Sequence, residues 1–211
     1  MKSKFIFTVF FLFAALRFVH GQTVAELFVK LPETAFLPLT ASDRMDLIDL
    51  FKAGEKASVK NSMDDSCSLL RLTADYLQIR TGGNTMELFL LPLINDSKIV
   101  GMIQTVCAPV CDSYLEFYTT AWKKLSTAVF ITFANPSDFL NEGVQPEDEK
   151  VKNAMIPLDI SLMRLHYDPD NRELQQFYTT PDYLSKTDRA RVKPYLKEMP
   201  KRFKWNLVRF E

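Results

Sequence analysis

Two cysteines with three residues between them, Cys107 and Cys111, are the side chains of this sequence best spaced to react with each other. They flank Ala-Pro-Val, where one alternating segment ends and the next begins. A tight, proline-stiffened turn can bring two Cβ atoms to the separation of about 3.5–4.5 Å that a disulfide needs. We therefore predict a Cys107–Cys111 disulfide, which closes a small loop and stabilises at the low end of about 2–4 kcal/mol.

Two other roles for these thiols stay open. A redox-active pair usually stands at a helix N-terminus with two intervening residues, whereas this pair has three and strand-like flanks. Two cysteines also make half of a zinc site, for which Cys67 and His166 are the remaining soft ligands. Without such a site, Cys67 is expected to be a buried free thiol.

His166 is the one histidine outside the first 21 residues, so Ser-His-Asp or Cys-His chemistry would have to use it. It lies within an alternating segment beside Arg164, and we interpret it as a solvent-facing strand residue. The sequence contains neither a Gly-x-Ser-x-Gly nucleophile turn nor a glycine-rich phosphate loop. No cofactor and no metal are expected.

Tyr114, Glu116 and Tyr118 fall on one face of a predicted strand, and Trp122 follows closely. Tyr114, Tyr118 and Trp122 are therefore candidate ligand-facing aromatics, for example toward a glycan. Ordinary cross-strand packing is the competing interpretation of the same spacing. A pair of carboxylates for glycoside hydrolysis can come from distant parts of a chain, so the sequence leaves that alternative open.

Residues 1–21 have the pattern of a signal peptide. Two lysines precede a twelve-residue apolar run, Phe5 to Leu16, which is too short for the roughly 20 residues of a membrane span. Val19 and Gly21 suit the −3 and −1 positions of a cleavage site, so we expect cleavage after Gly21. The absence of a cysteine after the apolar run argues against a lipoprotein, and we expect a protein exported to the periplasm or cell exterior.

Cleavage would change the charge of the chain. The 26 basic and 26 acidic residues would become 23 and 26, a net charge of about −3 without a large block of one sign. Nucleic-acid binding normally needs a basic patch or stripe, so we do not expect it. The basic run from Lys186 to Arg209 contains interleaved acids and is interpreted as a solvated helix and strand.

Hydrophobic spacing indicates an α+β domain over residues 22–211, with antiparallel β-meander sheets and two capped helices packed on a face. One helix begins after Thr40, where Thr40 and Asp43 form a capping box, and the other begins at Ser185. Segments of period two predict the strands, with Met86 to Leu93 apolar on both faces as in a central strand. These segments fall at 70–72, 76–80, 86–93, 99–107, 112–119, 127–133, 160–167, 172–180 and 203–210.

Asn135 to Asn153 is polar and acidic and contains two prolines, so it is expected to form a surface loop. Two short sequence similarities suggest a degenerate internal duplication. Leu39 to Arg44 resembles Leu184 to Arg189, and Phe-Tyr-Thr-Thr occurs at both 117–120 and 177–180. Capping chemistry explains much of the first similarity.

Several of these segments together resemble an uncharacterised family of exported proteins, a domain of unknown function from gut-type Gram-negative anaerobes. The segments are Leu37-Pro-Leu-Thr40 with Asp43-Arg44 and Asp46-Leu-Ile-Asp49, Thr105 to Ser113 around the two cysteines, and Thr180 to Lys186. The resemblance runs in order over nearly the whole mature chain and implies a periplasmic or surface setting. It implies no reaction, ligand or catalytic residue.

The sequence therefore favours a non-enzymatic binding or structural module whose partner is an envelope component, a glycan or a peptide. A carboxylate-based hydrolase acting on glycans is the first alternative, and it would require a deep cleft with two close acids. A thiol–disulfide protein is the second alternative, and it would require reactive thiols at 107 and 111.

Overall fold

A computed structural model of the protein describes residues 22–35, 39–61 and 63–211. The predicted signal peptide, residues 1–21, lies outside the described residues. In chain order, two helices and a 3₁₀ turn come first, namely α1 (Val24–Val29), the turn Glu33–Ala35 and α2 (Ala41–Lys52). The predicted capping box is confirmed, because Thr40 Oγ1 accepts from the Asp43 N–H and Asp43 Oδ2 accepts from the Thr40 N–H.

Seven strands then form one antiparallel meander in which each strand pairs with the next in sequence. They are β1 (Ser58–Lys60), β2 (Ser66–Leu72), β3 (Tyr76–Thr81), β4 (Asn84–Pro92), β5 (Lys98–Cys107), β6 (Cys111–Thr119) and β7 (Lys124–Leu125). The predicted antiparallel α+β architecture is confirmed.

The second half of the chain forms a smaller sheet and several short helices. A three-stranded antiparallel sheet has the order β10-β9-β8. The elements are α3 (Thr127–Phe130), the 3₁₀ turn Pro136–Phe139, α4 (Glu149–Met155), β8 (Met163–Asp168), β9 (Glu173–Tyr178), α5 (Thr180–Tyr183), α6 (Lys186–Val192), the 3₁₀ turn Lys193–Tyr195 and β10 (Lys201–Lys204).

The large sheet is covered on both faces, which explains why β4 is apolar on both faces from Leu88 to Leu91. Leu88 and Leu90 pack with α1 and α2 in one buried cluster. Phe89 and Leu91 point the other way and pack with residues of β8, β9 and the C-terminal segment in a second cluster. The alternation of side chains along a strand therefore supplies both cores from one run of residues.

A buried arginine orders the helical layer. Arg44, 1% exposed, donates hydrogen bonds to the carbonyl oxygens of Leu31 at 2.7 Å, Leu39 at 3.1 Å and Val29 at 3.3 Å. Burial lowers the pKa of its guanidinium, and the nearby Glu33 carboxylate opposes that shift. These bonds satisfy carbonyls at the end of α1 and before α2, so Arg44 fixes the path between the two helices.

In the second half of the chain, three predicted segments differ from the structure. Thr127–Phe130 is a helical turn, so the strand predicted at 127–133 is wrong. β-Branched residues suggested a strand, but the segment pairs with no strand and ends at the extended Ile131, which is buried. The predicted loop at 135–153 contains α4 and a 3₁₀ turn, because Phe139, Val151 and Ala154 provide a small apolar face. The final predicted strand shortens to β10, followed by an isolated bridge between Trp205 and Phe210.

The two capped helices occupy different places. α2 packs beside α1 on the large sheet, whereas α6 contacts α4 and α5 beside the small sheet. Ser185 caps α6 by accepting from the Asp188 N–H at 3.1 Å. Each of the two helices precedes an edge strand, β1 or β10. The internal duplication stays a prediction.

Candidate functional site

Cys107 and Cys111 are disulfide-bonded. They are also direct cross-strand partners at the end of the β5–β6 hairpin. Asn84, at the start of β4, accepts a hydrogen bond from the Cys107 N–H at 3.3 Å. Cys67 is a buried free cysteine whose Sγ lies 3.2 Å from Thr81 Oγ1, and burial raises its thiol pKa. The bridge therefore closes the tip of a hairpin, and the third cysteine lies within the fold.

The three candidate aromatics do not form one exposed platform. Tyr118 is 8% exposed and packs in the cluster beneath α1 and α2, with Trp122 edge-on to its ring at 5.5 Å. Its hydroxyl donates to Glu116 at 2.6 Å, and burial raises its pKa. Tyr114 is 48% exposed. Of the three, Tyr114 is the most exposed, and a ligand role for the set stays a prediction.

A buried carboxylate joins the two sheets. Glu87 on β4 is 3% exposed and accepts hydrogen bonds from the Tyr76 hydroxyl and the Tyr167 N–H, each at 3.0 Å. Its other oxygen lies 3.1 Å from Nδ1 of His166. This hydrogen bond is the main cause that raises the pKa of His166. His166 is thus half-buried and paired, and the acid that fixes it is a lone charge within the apolar run of β4.

Side chains of the large sheet accept hydrogen bonds from the backbone N–H groups along the free edge of β8. The N–H groups of Met163, Leu165 and Tyr167 would pair with a further strand, but they donate instead to Asp112 Oδ1, Ser113 Oγ and Glu87 Oε2 at 2.8, 3.0 and 3.0 Å. Unpaired edge N–H groups are a template for aggregation. These three acceptors close that edge and dock the small sheet on the large one.

The best candidate for a binding site is a cleft of about 420 Å³ between the small sheet and the segment that follows it. We call it the basic cleft. β8 and β9 supply its floor, while α5, α6 and the residues after α6 supply its walls. The lining residues are Arg164, Phe177, Tyr178, Thr179, Pro181, Asp182, Arg189, Lys193, Leu196, Lys197, Glu198 and Met199.

Cations outnumber carboxylates in the basic cleft by four to two. Asp182 pairs with Arg189 at 3.5 Å, and Glu198 pairs with Lys193 at 3.1 Å. Arg189 is further anchored because its Nε donates to the Pro181 carbonyl at 3.0 Å. Both carboxylates are therefore already neutralised, and the excess positive charge belongs to other residues.

Arg164 and Lys197 carry that excess. Within the described residues, neither side chain forms an ion pair. The Arg164 guanidinium lies 3.9 Å from the centre of the Phe177 ring. Stacking holds the plane of a guanidinium while leaving its N–H groups free to donate at the edge. The arrangement suits a carboxylate, phosphate or sulfate group placed against Arg164 and Lys197.

Sequence patterns alone do not predict this cleft. Arg164 is 33 positions before Lys197. The interpretation of 186–209 as a solvated helix and strand does not show that residues after α6 form a cleft with β8 and β9. Across the described ranges, no three His, Cys, Asp or Glu side chains are grouped closely enough to hold a metal ion. Likewise, no helix in the described part of the chain has the length and apolarity needed to cross a bilayer.

Comparisons with known proteins agree with the fold and name no activity. The chain superimposes on the structure of a domain of an uncharacterized protein from Porphyromonas gingivalis W83 with a TM-score of 0.81 and 24% sequence identity, covering 90% of this chain and 98% of that one. No curated protein matches the sequence. Residues 17–210 match a family described as "Protein of unknown function (DUF3256)", and the chain therefore belongs to that family.

Proposed function

We propose that this protein is a non-enzymatic binding module that takes an anionic ligand in the basic cleft. One observation carries the proposal. Arg164 and Lys197 both line the cleft, and neither forms an ion pair with any of the described residues. The sequence as a whole has no net positive charge. A local excess of one sign in a concave site raises the local concentration of ligands of the opposite sign.

The walls of the cleft support binding over hydrolysis. Each of its two carboxylates, Asp182 and Glu198, is paired with a cation of the same cleft. Paired carboxylates act here as anchors for Arg189 and Lys193. Phe177 and Tyr178 add aromatic surface, so the ligand gains contact area as well as charge neutralisation.

We further propose that the protein works outside the cytoplasm, in the periplasm or at the cell surface. Disulfides persist in oxidising compartments and are rare in the cytosol. The Cys107–Cys111 bond and the leader-like pattern of residues 1–21 both support this setting.

A thermal-shift screen tests the binding proposal. Short oligoglutamates and oligogalacturonates serve as anionic probes, with oligoglutamine and maltotriose as their neutral counterparts. A ligand at 100 times its Kd stabilises by about 2.7 kcal/mol, which corresponds to a rise in Tm of roughly 5–10 °C for a domain of this size. We expect this rise with an anionic probe at low salt and its loss at high salt.

Matched variants locate the site. Arg164→Gln combined with Lys197→Gln should weaken binding of the anionic probe by tenfold or more. Arg80→Gln combined with Lys56→Gln removes the same charge from exposed positions outside the cleft and should change binding less than twofold. Equal losses in the two double variants, or no salt-sensitive shift with any anionic probe, would overturn the proposal.

A further inference from the structure

A second groove adjoins the basic cleft and is lined mainly by apolar side chains. It has a volume of about 390 Å³ and lies between the 3₁₀ turn Pro136–Phe139 and α4. Among its lining residues are Leu140, Met155, Ile156 and Leu158. We call it the apolar groove. An exposed concave apolar surface is a feature of ligand and protein contact sites.

The apolar groove and the basic cleft share a wall. Tyr178 and Leu196 line both of them. Backbone hydrogen bonds fix that wall, because the Lys197 N–H donates to the Phe139 carbonyl and the Asn141 N–H donates to the Tyr195 carbonyl, both at 2.8 Å. The two concavities therefore keep a constant relative position, and one ligand can contact both.

The groove is open to solvent at Ile156. Ile156 is 71% exposed although it lines the groove. A lipid acyl chain gains most from an enclosed apolar cavity, whereas an extended peptide can place one or two aliphatic side chains in an open groove and leave its backbone in water. The shape of the groove therefore favours a peptide.

We propose that the ligand is a short extended peptide in which acidic residues adjoin aliphatic residues. Its carboxylates contact Arg164 and Lys197 in the basic cleft, and its aliphatic side chains cover Ile156 and Leu158 in the apolar groove. This inference rests on the proposed function, since the basic cleft must bind the acidic part.

Peptide libraries test the inference by fluorescence anisotropy on the full chain. One library joins Glu-Glu-Gly to three positions drawn from Leu, Ile and Val, with the acidic pair first in one set and last in another. The reference library draws the three positions from Ser, Thr and Asn. Burial of one or two aliphatic side chains is expected to make the first library bind at least about tenfold more tightly.

Two exposed isoleucines provide the matched variants. Ile156→Ser alters the apolar groove, and Ile94→Ser alters a residue that is 72% exposed on the turn between β4 and β5. Ile156→Ser should weaken the aliphatic library about fivefold or more and leave the reference library within twofold. Ile94→Ser should leave both libraries within twofold.

The outcomes separate the two proposals. Salt-sensitive binding of both libraries with equal affinity would overturn the peptide inference and leave the anionic-ligand proposal standing. Failure of every anionic probe, peptide or glycan, would overturn both. Binding to vesicles of phosphatidylglycerol and phosphatidylcholine that depends on Ile156 and is not displaced by the aliphatic library would assign the groove to lipid and overturn the peptide.

Discussion

The carboxylate of Glu87 accepts a hydrogen bond from the backbone N–H of Tyr167 at 3.0 Å, across 80 positions of sequence. Glu87 belongs to the middle of the large sheet and Tyr167 to the free edge of the small one. The same carboxylate oxygen accepts from the Tyr76 hydroxyl. One buried acid therefore satisfies two buried donors and connects the large sheet to β8 of the small sheet.

We expect Glu87→Ala to destabilise the protein by about 3 kcal/mol or more, because each buried donor left unpaired costs about 1–3 kcal/mol. Glu87→Gln should cost less, since its amide oxygen can still accept from Tyr76 and Tyr167. Glu55→Ala, at an exposed position, is the control and should stay within about 0.5 kcal/mol of the parent. Urea denaturation measures all three, and a cost below about 1 kcal/mol for Glu87→Ala would contradict the role assigned to this acid.

The pairing of His166 with Glu87 predicts a pH dependence of stability. The hydrogen bond to Glu87 raises the pKa of His166, burial and Arg164 oppose the shift, and Asp168 adds to it. Because the pKa of His166 is higher in the folded state, its protonated imidazole stabilises the fold. This stabilisation is fully present at pH values below the unfolded pKa near 6.5, and it is lost as the pH rises through the folded pKa.

Comparison with His166→Gln isolates this contribution. The parent should lose stability relative to the variant as the pH rises from about 6 to 8, by about 1 kcal/mol or less because the side chain is 36% exposed. Urea denaturation at several pH values measures the difference. A difference between parent and variant that is flat over this range, or that grows with pH, would show that His166 is not stabilised as an imidazolium.

The close contact between Phe89 and Gly101 predicts a large effect of one added methyl group. The two residues are cross-strand partners in β4 and β5, and the Phe89 ring stacks on Tyr167 at 4.0 Å. A Cβ at position 101 would lie 2.2 Å from Phe89 Cε2. Gly101→Ala must therefore displace this ring from its stacked position.

We expect Gly101→Ala to destabilise by about 2–3 kcal/mol, as overpacking of a core does. Gly83→Ala is the matched control, because its nearest neighbour, the Cys107 carbonyl oxygen, would be 3.9 Å from the new Cβ. Thermal denaturation of the two variants measures the contrast. Similar melting temperatures for both would show that the Phe89 ring can move without cost.

The disulfide predicts a modest effect of reduction. Cys107→Ser combined with Cys111→Ser should lower the free energy of unfolding by about 2 kcal/mol, because the bridge closes a very short loop. Reducing the parent with dithiothreitol should produce a similar loss, and the double variant should be insensitive to the reductant. An equal reductant effect in the double variant would show that the loss of stability in the parent does not come from this bridge.

Local sequence determined the elements that depend on neighbouring residues. Thr40 and Asp43 predict the start of α2 because a capping box involves residues three positions apart. Alternation predicts the strands of the meander, and the Ala-Pro-Val turn predicts the disulfide, because hairpins join residues close in sequence. The strand predicted at 127–133 is wrong because β-branched residues alone do not decide whether a short segment finds a strand to pair with.

Tertiary structure decided everything that joins distant residues. Glu87 could be seen as a lone acid in an apolar strand, but its donors come from β3 and β8. Arg164 and Lys197 share a cleft only because α6 and the residues after it fold back onto the small sheet. Spacing in sequence specifies helices, turns and hairpins. The charge of a cleft depends instead on which elements pack together, and here residues of α6 and the segment after it line the cleft with residues of β8 and β9.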